Sequence, residues 1–120
     1  MAQIAPFHSL SMALQEFADE RDWQQFHTPK NLVMALGIEV AELQEPFQWL
    51  TPEESRNLSA EKLAEVRLEM GDVFIYLIRL ADQLQIDLLS AATEKLELNK
   101  AKYPADKVRG KAKKYTEYGE

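Results

Sequence analysis

The chain has 120 residues, 46% hydrophobic and 28% charged, which suits one globular domain over 1–120 with a core of its own. It has no cysteine, which excludes a disulfide framework and thiolate chemistry, and no apolar run near the ~18 residues that cross a bilayer. The net charge of −6 is uneven: residues 1–94 carry 6 Lys+Arg against 16 Asp+Glu, whereas residues 95–120 carry 8 against 4.

The opening "MAQIAPFHSL" has neither the basic start nor the long apolar stretch of a signal peptide, so a cytoplasmic protein is expected. Period-3.6 patterns dominate, and no alternating β-branched run makes a strand. The first helix is predicted from Ser9, as cap, to Arg21, with Met12, Leu14 and Phe17 among its apolar positions. "DWQQFHTP" is a connection, and Thr28 followed by Pro29 signals the start of the second helix. Pro46 ends or kinks that helix. "TPEE", Thr51 to Glu54, has the form of a capping box opening a short turn.

A third, longest helix is predicted over Ser59–Gln85, with Leu63, Val66, Met70, Phe74, Leu77, Ala81 and Leu84 on one stripe. Asp87 caps a fourth, which runs to Tyr103 and stops at Pro104. The remainder, 105–120, reads as an irregular basic tail. Four helices with short connections make the fold class all-α, a four-helix bundle, and apolar positions left over on the long helices suit an oligomer.

Two helices carry acids beside their apolar stripes. At about 100° per residue with Leu36 at zero, Val40, Leu43 and Phe47 lie within about 40°, Glu39 about 60° to one side and Glu42 about 120°. With Met70 at zero, Glu69, Asp72, Glu65 and Tyr76 fall about 100–160° to the same side. One such band is an ordinary solvated face. Two on neighbouring helices would repel unless a cation lies between them. Hard oxygen ligands with no cysteine and no suitably placed histidine suit Mg2+ or Mn2+, and neither His8 nor His27 sits in the Glu-x-x-His setting of a di-iron bundle. Gly71, inside the second acidic pair, is either a packing glycine or a point of close approach for a helix or ligand. Trp23 and Trp49 lie near helix ends, as core or interface residues or as faces on which a base stacks. His27 in its loop reads as a structural histidine.

The stretches "GIEVAELQEPFQW" and "EMGDVFIYL" together resemble the MazG-like nucleotide pyrophosphohydrolases. "FADERDWQQFHTPKNL", "FQW", "IYL", "NKAKYP" and "GKAKKYTEY" are similar to the dCTP pyrophosphatase branch of that family, over roughly Gln15 to Tyr115. The resemblance implies Mg2+-dependent hydrolysis of a nucleoside triphosphate, dCTP or a related dNTP, to monophosphate and pyrophosphate, in nucleotide-pool housekeeping. It implies Glu39, Glu42, Glu69 and Asp72 as metal ligands, and Trp23 to His27, Trp49 and Tyr76 as lining of the nucleotide pocket. Asn99, Lys102 and Tyr103 would contact phosphate or ribose. It also implies a helical bundle assembled as a homotetramer with pockets between subunits. One departure bears on base selectivity: Leu14 stands where vertebrate members have a histidine.

On this reading the acids hold metal, one of them or Glu45 or Glu65 helps remove a proton from water, and lysines of the tail stabilise the leaving group. Trp23 and Trp49 would sandwich the base. The rival is a non-enzymatic nucleic-acid-binding protein using the tail "KAKYPADKVRGKAKK". The acidic body opposes it, and it leaves the paired acids unexplained. A metal-free interaction bundle is the third alternative.

Overall fold

The computed structural model describes residues 4–112. All regular elements there are helical: α1 Ile4–Glu20, α2 Pro29–Gln44, α3 Pro52–Ser55, α4 Ala60–Leu84, α5 Leu88–Lys102 and α6 Ala105–Val108. Short 3-10 turns at Gln24–Phe26 and Glu45–Phe47 lie before and after α2. The chain divides into two compact units, one ending at Ile86 and the other beginning at Asp87.

The helix starts follow from local chemistry. Thr28 accepts from the Asn31 amide with Pro29 at the first position of α2, and Ser59 accepts from the Lys62 amide at the start of α4. Thr51 and Glu54 form a full capping box, the Thr51 hydroxyl accepting at 3.1 Å and the Glu54 carboxylate accepting from the Thr51 amide at 2.8 Å. Asp87 caps α5, accepting from the Ser90 amide at 3.0 Å. The α-helical bonds of α2 stop just before Pro46, where the Glu45–Phe47 turn takes over.

Two boundaries differ from expectation. The first helix begins at Ile4 rather than Ser9, because Pro6 falls in its first turn, where its missing amide would have had no partner. The segment after Pro104 is not wholly irregular, since α6 adds one turn. Residues 113–120, the end of the basic tail, lie outside the described residues.

In the first unit α2 packs along α4, and α1 lies against α4. Phe7 meets Phe74 edge-on with centroids 5.8 Å apart, and the Ser11 hydroxyl donates to Asp82 at 2.6 Å. Among the described residues the buried apolar side chains are few: Ala18, Leu32, Val66, Ile78 and Ala81. The predicted stripes are covered only in part: Val66 and Ala81 are buried and Leu36, Leu43, Phe47 and Leu77 half-buried, whereas Val40, Leu63, Met70, Phe74 and Leu84 are exposed. From Ile75 to Asp82 every residue of α4 is buried or half-buried, so this segment is enclosed all round instead of on one stripe.

Candidate metal centre

The packing of α2 along α4 brings the carboxylates together. Glu39 from α2 and Glu69 and Asp72 from α4 each offer an oxygen, all within 4.8 Å of one another. A single cation with ligand distances of ~2 to 2.6 Å bridges that span. Glu39 and Glu69 are half-buried and Asp72 is exposed. The Oε2 atoms of Glu39 and Glu69 are buried with no hydrogen-bond partner among the described residues. Buried polar atoms are nearly always paired, so two orphaned carboxylate oxygens on neighbouring members of the cluster call for a cation or a proton.

The electrostatics agree. Burial, then hydrogen bonding with Glu42 and the charges of Glu42, Asp72 and Glu69, push the Glu39 carboxyl up from 4.5 to about 7. Glu69 is also raised, by burial first, then by the charges of Glu42 and Asp72, hydrogen bonding with Glu42 and the charge of Glu45. Glu42 thus lies within reach of both without being one of the three converging oxygens. Oxygen-only ligands of this density fit a hard divalent cation, whose charge would relieve the repulsion. Glu65 is exposed, one turn before Glu69.

The expected nucleotide-binding residues are spread more widely. Tyr76 follows Asp72 by one turn and is half-buried. Trp23 is 43% exposed, set edge-on against Phe17 at 5.7 Å, while Arg21 covers the Phe17 ring at 3.7 Å. His27 lies 6.2 Å from the Trp23 ring. Trp49 is 86% exposed just beyond the Glu45–Phe47 turn, and no ring contact joins it to Trp23 within this chain. Asn99 and Lys102 lie on α5 and Tyr103 at its end, in the second unit. Gly71 meets no close neighbour: a side-chain carbon added there would touch nothing within 4 Å, so it is not a packing glycine inside this chain.

One residue escapes a sequence reading. Arg79 is 2% exposed and donates from Nη2 to Gln24 Oε1 at 2.8 Å, with His27 Nδ1 at 3.4 Å. Gln24 in turn donates to Asp19 at 2.9 Å. The available signal was composition: Arg79 is the one charged residue in "VFIYLIRLA", Val73 to Ala81. Burial, then the Arg79 charge, lower His27 from its ordinary range.

The sequence pattern of the MazG-like family matches residues 34–118, which takes in both acidic pairs. The chain belongs to the MazG-like family. It is 46% identical to human dCTP pyrophosphatase 1 over 104 residues, 85% of this chain and 61% of that protein. The bovine dCTP pyrophosphatase 1 is 45% identical over the same length, 62% of its own chain. The chain thus spans about three fifths of the length of these mammalian relatives. A solved pyrophosphatase of Archaeoglobus fulgidus superposes with a TM-score of 0.77 at 43% identity, covering 81% of this chain and 91% of that one. As a MazG-like protein the chain is all-α, and no described helix is long and apolar enough to cross a membrane.

Proposed function

We propose that this MazG-like chain is a nucleoside triphosphate pyrophosphohydrolase. It cleaves dCTP or a related dNTP between the α and β phosphates to give monophosphate and pyrophosphate. The observation that carries the reading is the meeting of Glu39, Glu69 and Asp72 within 4.8 Å with two buried, unpartnered oxygens. The names of the mammalian and archaeal relatives support the reaction class. The match over 34–118 runs across the Ile86/Asp87 division, which supports one functional domain over 1–120.

Glu39, Glu69 and Asp72 would hold Mg2+, or Mn2+ in its place, with Glu42 as a fourth carboxylate. When bound, such a cation neutralises triphosphate charge and lowers the pKa of a coordinated water. The protein's own residues do the rest. α2 and α4 keep the carboxylates in fixed register, so no reorganisation is needed as charge builds on the phosphates. Trp23, His27, Trp49 and Tyr76 would take the nucleoside, and Asn99, Lys102 and Tyr103 the sugar or phosphates. Basic residues after Lys95, among them Lys107, Arg109 and Lys111, would stabilise charge on departing pyrophosphate.

A homotetramer belongs to the same proposal. Ile38, Leu63, Leu68 and Met70 are each more than half exposed, a large apolar area for a chain with so few buried residues. An apolar cavity of about 450 Å3 lined by Leu43, Met70, Gly71, Val73, Phe74 and Leu77 adjoins the acidic cluster. A second copy covering this face would bury these apolar side chains beside the acidic cluster.

Glu39→Gln and Asp72→Asn test the site. Each should abolish pyrophosphate release from dNTPs while circular dichroism keeps the helical signal. Near-normal turnover in both variants would remove the metal assignment.

A further inference from the structure

Arg79 has no part in the chemistry described so far, yet it is the buried charge of the fold, 2% exposed, with Nε and Nη1 unpartnered. Its Nη2 carries two hydrogens, one directed at Gln24 Oε1 at 2.8 Å and the other at His27 Nδ1 at 3.4 Å. A guanidinium has donors only, so the nitrogen it faces must accept. In the neutral imidazole the proton then sits on Nε2. Burial and the adjacent positive charge both favour the neutral ring. Nε2 makes no hydrogen bond among the described residues.

The same guanidinium orients Gln24. With Oε1 accepting from Arg79, and from Gln83 at 3.3 Å, the Gln24 amide nitrogen is turned toward Asp19 at 2.9 Å and the Gln15 carbonyl at 3.4 Å. The turn Gln24–Phe26 is pinned at its far end by Asn31, which donates to the Phe26 carbonyl at 3.0 Å. Trp23 at the head of the turn rests on Phe17, and its ring lies 6.2 Å from that of His27. The loop is therefore a rigid frame carrying one aromatic face and one imidazole.

We infer that Arg79 is a positioning residue: it locks His27 as the Nε2–H tautomer, so that the Trp23–His27 turn presents a fixed donor to an acceptor atom on the nucleoside half of the substrate. This rests on the proposed nucleotide site. A base lying against Trp23 carries its edge past His27, and a single N–H there favours a base or sugar oxygen over a donor group. A lysine at 79 would supply charge but lacks the planar fork that serves Gln24 and His27 together.

Two measurements on the full chain test this. Long-range 15N–1H correlation spectra read the tautomer, with His8→Gln separating the two imidazoles. Pyrophosphate release from dNTPs reads the consequence. The wild-type His27 ring should be protonated at Nε2. Arg79→Met should give mixed tautomers and a KM about tenfold higher, the scale of one lost hydrogen bond, with kcat nearly unchanged. Arg79→Lys should fold normally and still show the raised KM, which covers the case in which Arg79→Met does not fold. His27→Gln, which keeps an N–H near the Nε2 position, should retain KM better than His27→Leu.

An Nδ1-protonated ring in the wild type overturns the inference. So does an unchanged KM in Arg79→Lys. If the wild type hydrolyses no nucleotide, the proposed function and the substrate half of this inference fall together. A wrong tautomer in an active enzyme overturns the inference alone.

Discussion

Replacing Glu39 by glutamine removes one charge from a cluster whose members repel, and the structure sets the size of the effect. The Glu39 carboxyl is raised from 4.5 to about 7 in the fold. A raised acid means that the native state holds the proton more tightly than the unfolded chain. Stability of the metal-free protein then falls as pH rises from about 4.5 to about 7, and the full penalty is present above 7. At 1.36 kcal/mol per pH unit the ceiling is about 3 kcal/mol. Solvent screening of a half-buried group, and sharing of the effect with Glu42, Asp72 and Glu69, reduce this to about 1–2 kcal/mol. In EDTA at pH 8, Glu39→Gln should therefore melt about 4–8 °C above the wild type. At pH 5, where Glu39 in the fold already carries its proton, the gain should shrink to about a quarter of that at pH 8. Thermal denaturation followed by circular dichroism at both pH values measures it. A variant no more stable than the wild type at pH 8 in EDTA would refute the reasoning.

Mg2+ should reverse that order: at a hundredfold excess over its Kd it stabilises the wild type by about 2.7 kcal/mol, and Glu39→Gln by much less. Calorimetric titration near pH 7, in two buffers of different ionisation enthalpy, should show protons released on binding, since Glu39 is part-protonated there. Trp49→Ala should change stability by under about 0.5 kcal/mol because Trp49 is 86% exposed, yet raise KM about tenfold or more through lost base stacking. Gly71→Ala should stabilise the isolated chain by about 0.5–1 kcal/mol, since nothing in it crowds the added methyl, while lowering the assembled fraction in sedimentation. Assembly unchanged by that substitution would contradict a close subunit approach at Gly71.

The caps were legible because they are local. Thr28 with Pro29, Thr51 with Glu54 and Asp87 each act on an amide three residues on, and each stands where the sequence places it, whereas Ser9, expected as a cap, lies inside α1. The acidic pairs were legible as a chemical pattern. Their depth was not. Hydrophobic periodicity assigns burial to apolar residues alone, so it placed Val40, Leu63 and Met70 inside and the acids at the margin. The structure buries one oxygen each of Glu39 and Glu69 and leaves those three apolar residues exposed, while Val66 and Ala81 of the same stripe are buried as expected. Buried carboxylate oxygens beside exposed apolar side chains are the expected trace of a functional site. Arg79 was missed for the same reason: periodicity assigns a charged residue to solvent, but the all-round enclosure of Ile75 to Asp82 leaves it none.

If the acidic cluster between α2 and α4 serves cleavage at the α–β phosphoanhydride, product analysis after incubating the purified chain with each dNTP, with Mg2+ and with EDTA, reads it directly. Monophosphate and pyrophosphate should form in equal amounts with Mg2+, with dCTP among the substrates, and neither product in EDTA. Diphosphate with orthophosphate, or no turnover together with tight, salt-sensitive binding of DNA, would contradict it.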